Sequence, residues 1–199
     1  MTFQKNHNFA HNAQTSGAQF VGGNQTKQFK TPYTPVRLLT AECRAYLENE
    51  RLLDGETLTR WRVGSSPDGS IIMPFFESSD AVGNPIRHVL SKHRLPREPR
   101  QGEPKAKRDA DGKAVLYGTW LCDPAGKNLT IMEGEFDAMT VSMAGVANVV
   151  SLPAGTNDQD FVDLQWQWLD QWESITLWMD NDDAGRRALH ELAKRLRAV

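Results

Sequence analysis

Only two cysteines stand in the 199 residues, Cys43 and Cys122, far apart and with no CxxC spacing or paired histidine beside them. They cannot build a four-cysteine zinc ribbon, and they read as reduced thiols rather than as a disulfide framework. No apolar run approaches the roughly 18 residues of a membrane span, and the first residues lack the charged, apolar and small-residue blocks of a signal peptide. A cytoplasmic protein with no membrane partner is expected. A Gly-x-x-x-x-Gly-Lys-Ser/Thr loop is also missing, which leaves no nucleotide-driven motor in this stretch. Charge of one sign is missing twice. Residues 1 to about 33 hold no acid, and Leu129 to Gly185 holds eleven acids without one Lys or Arg, whereas Arg87 to Lys113 sets nine Lys/Arg against four acids. A net charge of -2 conceals this segregation, which suits a protein that holds a polyanion with one part and metal ions with another.

What is present is ordinary in bulk. A hydrophobic content of 39% and a charged content of 24% fit a soluble chain of one medium domain or two small ones. Residues 1–35 are Asn, Gln, Gly, Thr and Lys in no period, with too little apolar surface to offset the cost of ordering, and are expected to be a disordered polar tail. From Thr40, a capping residue, Cys43, Tyr46 and Leu47 recur at helical spacing, and Asp54-Gly55 reads as a turn. "SIIMPFFES", with Pro74 inside it, reads as a strand, "DAVGN" as a hairpin turn and "PIRHVLSKHR" as the return strand. Alternation there sends Arg87, Val89 and Ser91 one way and His88, Leu90, Lys92 and Arg94 the other. "LPREPRQGEPKAKRDADGK" reads as a mobile loop. Residues 36–125 are thus expected to form a small basic α+β subdomain.

The texture then changes. "LTIM", "NVVSL" and "ITLWM" are short, nearly continuous apolar runs, the pattern of strands buried on both faces of a parallel sheet. Between the first two lies a helical stretch, Phe136 to Met143. Between the second and third, Phe161, Leu164, Trp168 and Trp172 recur at helical spacing; the stripe fits the core, although tryptophans also stack on bases. A last helix from Ala184 completes β-α-β-α-β-α, an α/β layer over residues 126–199.

Ligands of such a sheet gather at the carboxyl ends of its strands. The first strand ends in "MEGEFDAMT", with Glu133 at its end and Asp137 one helical turn on; the third ends in "MDNDDAG", where Asp180 and Asp182 stand two apart on a nearly extended chain. Clustered acids repel one another unless something positive sits among them. Hard oxygen ligands without His or Cys select Mg2+ or Mn2+ and not zinc. Two readings stay open for Asp180 to Asp183, a metal site or a solvated turn capping the next helix. Asp137 likewise reads as part of the site or as an acid complementing the helix dipole. Gly134 and Gly185 each follow an acid at a strand-to-helix turn, where the backbone must pass close to something.

Glu133-Gly134-x-x-Asp137 and Asp180-x-Asp182-x-x-Gly185, with the "SLPAG" loop between them, resemble the Toprim domain shared by primases, type IA and II topoisomerases, RecR-like repair proteins and OLD-type nucleases. Upstream, "YLENERLLDGETLTRWRVG", "GSIIMPFFESSDAVGNPIRHVLSKHR" and "LYGTW" are similar to the RNA-polymerase domain of bacteriophage primase-helicases and the related Twinkle-type helicases. The resemblance covers about residues 38 to 199. It implies a Toprim-type parallel sheet flanked by helices, preceded by the basic subdomain, and a DNA primase of DNA replication. Such an enzyme is a nucleotidyltransferase that makes short RNA primers on single-stranded DNA from ribonucleoside triphosphates, in partnership with a replicative helicase. Glu133, Asp180 and Asp182 would hold the metal and carry catalysis; Lys92 and Arg94 would contact phosphate or template, with Asp137 beside them. For Lys92 and Arg94 the alternative is a solvated strand edge. The family's zinc ribbon and helicase motor are absent from this stretch, and the sequence stops at Val199, before the further strand and acidic position of Toprim domains, so the domain is expected to be incomplete at its C-terminus. A metal-dependent nuclease and a non-catalytic module that binds single-stranded DNA share many of these features.

Overall fold

The computed structural model describes residues 2–4, 28–32, 34–77, 87–154 and 159–197. Thr2–Gln4 forms a short strand, β1. Thr40 accepts the amide of Cys43 and so starts α1 (Ala41–Ala45), which runs on as a π-helical turn, Tyr46–Glu50. Asp54 accepts the amide of Thr57 at 2.7 Å and starts α2 (Gly55–Arg60). Both caps satisfy amides that have no partner within their helix.

Four antiparallel strands follow in the spatial order β2-β3-β4-β5: β2 (Gly64–Ser65), β3 (Ile71–Glu77), β4 (Arg87–Arg94) and β5 (Lys107–Arg108). Pro74 lies past the reach of the two-residue β2, where β3 has β4 as its single ladder neighbour among the described residues; a missing amide is tolerated there. The turn expected at "DAVGN" falls outside the described residues. The strict alternation expected along β4 fails in its middle, since Val89, Leu90 and Ser91 are buried in succession. A bulge between Phe75 and Phe76 shifts the register there. The charged loop after β4 is tied down rather than loose. Arg97 grips both carboxylate oxygens of Glu103 at 2.7 and 3.0 Å, holding that carboxyl down at about 2, and β5 pairs with β4.

The second layer is the expected one. It comprises β6 (Asn128–Met132), α3 (Glu135–Met143), β7 (Val149–Ser151), α4 (Asp160–Leu164), α5 (Trp166–Leu169), β8 (Ser174–Trp178) and α6 (Asp183–Arg197). The sheet runs β1-β8-β6-β7, with β6 parallel to both β7 and β8. Leu129, Ile131, Val150, Ile175 and Leu177 face one core with Phe161, Trp172 and Leu192. Met132 and Val149 face the other, together with Phe136, Met139, Trp61, Phe75 and Tyr117. This second core runs across the boundary expected near residue 125. Tyr117 stitches it: the residue bridges Ser151 beside β7, and its hydroxyl donates to the Trp61 carbonyl at 2.5 Å. Gly118 follows at φ +95, and a Cβ there would stand 2.6 Å from the Trp61 ring, so only glycine fits.

Two expectations change. The Phe161 to Trp172 stripe is a core stripe, but its helix breaks at Gln165, whose buried side chain accepts the Leu116 amide at 2.5 Å. Most of residues 1–35, expected to be a disordered polar tail, lie outside the described residues, but two described parts make defined contacts. β1 pairs antiparallel with β8, Thr2 opposite Thr176, and Lys30 bonds Asp111 through both its amide (2.9 Å) and its ammonium (2.7 Å). A sheet edge offers unpaired backbone groups that even a polar segment can satisfy, which composition does not reveal. Both cysteines are free thiols, and burial pushes Cys122 up to about 12. Among the described residues no helix is long and apolar enough to cross a membrane.

Candidate active site

Parallel pairing sets Met132 opposite Trp178, so Glu133 and the segment from Asp180 leave the sheet side by side at its carboxyl edge. One Glu133 oxygen accepts the Asp180 amide at 3.0 Å and ties the two strand ends together. Asp182 accepts the Gly185 amide at 2.7 Å, so it caps α6 as the bland reading expected. Gly185 is required by close approach to backbone, whereas at Gly134 the close neighbour is a side-chain tip that can move aside. A Cβ on Gly185 would stand 2.1 Å from the Asp180 carbonyl oxygen, and one on Gly134 would stand 2.5 Å from an Asp137 carboxylate oxygen. Asp137 thus folds back over the start of α3, exposed, toward Glu133. The carboxylates feel one another: burial raises the Glu133 pKa, and Asp180, Asp182 and Asp137 push it further, against the opposing bond from the Asp180 amide. Among the described residues no three His, Cys, Asp or Glu are grouped closely enough to hold a metal ion as they stand. Glu133 and Asp182 each have an oxygen engaged by a backbone amide. Arg186 folds back onto Asn181 and Asp183, balancing charge within its own turn.

Both acidic strand ends fall within one stretch that matches a known family. Residues 130–199 match the Toprim-like family. The DNA helicase/primase of Enterobacteria phage T3 is 40% identical over 76 residues, which are 37% of this chain and 13% of the phage protein. The primase fragment of the bacteriophage T7 primase-helicase protein superposes with a TM-score of 0.56 at 23% identity, over 89% of this chain and 70% of that one. The DnaG primase catalytic domain bound to single-stranded DNA gives 0.58 at 16%, over 79% of this chain and 61% of that one. The fold is therefore that of primase catalytic cores, and the stretch shared with the phage T3 protein is a small part of that relative's length.

The basic residues reach the parallel layer through the first turn of α3, directly after Glu133. The Lys92 ammonium pairs with Glu135, and the two side chains are 12% and 7% exposed. Arg94 places its guanidinium 4.6 Å from the centre of the Phe136 ring. Lys92 and Arg94 therefore pack against the first turn of α3, neither at a solvated edge, and Lys92 is engaged within the chain. Two participants escaped the sequence reading. Glu135 hid within an acidic run as one more acid. Arg51 stands after the π-helical turn with no periodic signal. Its guanidinium lies 5.4 Å from the centre of the same Phe136 ring, and it also bonds Tyr46 and Glu98.

Lys92→Met leaves the buried Glu135 carboxylate without its cation and should cost about 3 kcal/mol in urea denaturation. Adding Glu135→Gln should recover much of that loss; a single variant as stable as the wild type would refute the pair's structural role. Glu133 raises a separate expectation. Its folded pKa lies above its unfolded value, so the folded chain binds the proton more tightly, and stability falls as pH rises from the ordinary carboxylate range through the raised value. Glu133→Gln keeps an acceptor for the Asp180 amide and removes the charge. In metal-free buffer it should melt above the wild type at neutral pH, with the difference closing below about pH 4; equal melting at neutral pH would contradict the crowding of these carboxylates.

Proposed function

We propose that this chain carries the RNA-polymerase module of a DNA primase, making short RNA primers on single-stranded DNA by metal-dependent nucleotidyl transfer. The observation that carries the reading is the juxtaposition, within a primase-type fold, of Glu133, Asp180 and Asp182 at neighbouring strand ends with Lys92 and Arg94 at the first turn of α3. The donor set suits a hard divalent cation, Mg2+ or Mn2+: all its side chains are carboxylates, and their mutual repulsion is the charge such an ion would relieve. Glu133, Asp180 and Asp182 would hold it. When bound, it would supply positive charge against that developing on the transferred phosphoryl group.

The chain's own groups supply the rest. Arg94 offers the planar fork suited to phosphate, fixed in direction by its ring contact with Phe136. Lys92 acts mainly through Glu135, holding the first turn of α3 against β4 so that Glu133 and Arg94 keep their spacing. Asp137 folds over the helix start and adds negative charge around the cation site. In the reaction a ribonucleotide 3′-hydroxyl attacks the α-phosphate of the incoming triphosphate and pyrophosphate leaves, an in-line displacement that depends on positioning and charge. A single-stranded DNA template and ribonucleoside triphosphates are the proposed partners. A replicative helicase is a third, by analogy with the phage T3 helicase/primase.

The test is incorporation of labelled ribonucleotides on single-stranded DNA with Mg2+ or Mn2+, wild type beside Asp180→Ala, with the template followed in the same gel. Template-dependent oligoribonucleotides that vanish in a folded Asp180→Ala protein are expected. Cut template without new RNA would replace the reading with a nuclease, and neither product with intact DNA binding would replace it with a binding module.

A further inference from the structure

Trp178 ends β8 and is 58% exposed, although the four strand residues before it are buried or half-buried. Trp61 and Trp172, by contrast, are wholly buried. Register with Met132 puts the Trp178 indole on the side of the sheet that carries Met132, Phe136 and α3. On that side α3 packs over β7 and β6, and Trp178, at the end of β8, stays exposed. A broad apolar ring is therefore left in water two residues before Asp180.

We propose that Trp178 is the platform on which the base of the bound ribonucleotide stacks, an inference that rests on the polymerase reading of the neighbouring carboxylates. Three kinds of group meet at the strand ends. Arg94 and Arg51 lie against Phe136 at the start of α3, Glu133 ends β6 just before it, and Asp180 and the indole both stand on the neighbouring β8. A nucleoside triphosphate has a counterpart for each: a polyanion, the phosphate that reacts, and a flat apolar ring. Trp178 and Asp180 are two residues apart on nearly extended chain, roughly 7 Å, and the neighbouring strand is roughly 5 Å away, so one nucleotide could touch all three groups. Stacking on an indole is tolerant of base identity, because every base has a π-face. The platform should therefore serve purine and pyrimidine nucleotides alike, as template-directed synthesis requires.

Calorimetric titration in Mg2+ with ATP, CTP and inorganic triphosphate, on wild type, Trp178→Ala and Trp178→Phe, tests this. Trp178→Ala should bind both nucleotides about tenfold more weakly and inorganic triphosphate unchanged, whereas Trp178→Phe should stay within about threefold of wild type. In primer synthesis the alanine variant should raise KM and leave kcat nearly as it was. Undiminished nucleotide affinity, or an equal loss for inorganic triphosphate, would overturn the platform. A wild type that makes primers while Trp178→Ala keeps its KM would overturn the platform and spare the polymerase reading. A wild type that binds nucleotide through Trp178 but makes no RNA would do the reverse, and one that binds no nucleotide would overturn both.

Discussion

The parallel pairing of β6 with β8 is the constraint on which the site depends. It brings two acidic strand ends side by side, and the bond from the Asp180 amide to Glu133 fixes their spacing. Burial, and then the like charges placed around it, disfavour the ionised form of Glu133, and its raised pKa registers that cost. The hydrophobic residues behind the acids sustain it: Leu129, Ile131, Ile175 and Leu177 bury one face of these strands, while Met132 joins the core on the other. A strand pair held on both faces can carry a repulsive edge that an isolated turn could not. Functional sites commonly store unfavourable energy in this way, supported by the rigid structure around them.

The second support is the junction between the antiparallel and parallel layers. Tyr117, sealed between Trp61 and Phe75, joins the two backbones through its hydroxyl and its bridge to Ser151. The Lys92–Glu135 pair makes a polar contact between the same layers at the start of α3. Buried ion pairs contribute little net stability, but they penalise misplacement of either partner. Here that penalty locates Arg94 relative to Glu133. Lys92 thus has a part in the site's geometry that its charge alone did not suggest.

Much of this was legible in the sequence, and for physical reasons. The three apolar runs declared buried parallel strands because such strands have no polar face, and Glu133, Asp180 and Asp182 followed from the rule that ligands gather at strand ends. Gly185 was readable because no other residue fits where the Asp180 backbone comes so close. What escaped were interactions set by tertiary approach. Glu135 and Arg51 carry no periodic signal, and the break at Gln165 exists because a buried Leu116 amide needs an acceptor from elsewhere in the chain. β1 was missed because a three-residue polar strand is defined by the edge it joins rather than by its own composition. The expected alternation of β4 failed at a bulge, which moves residues between faces without marking the sequence.

A shared cation site spanning two strand ends is the central claim, and binding of Mn2+ followed by electron paramagnetic resonance tests it most directly. Titration of the wild-type protein should show bound Mn2+ that Mg2+ displaces, and the binding should weaken sharply when either strand's acid is removed, in Glu133→Gln or in Asp180→Ala. Mn2+ bound equally well by the wild type and both variants would contradict a site built from β6 and β8 together.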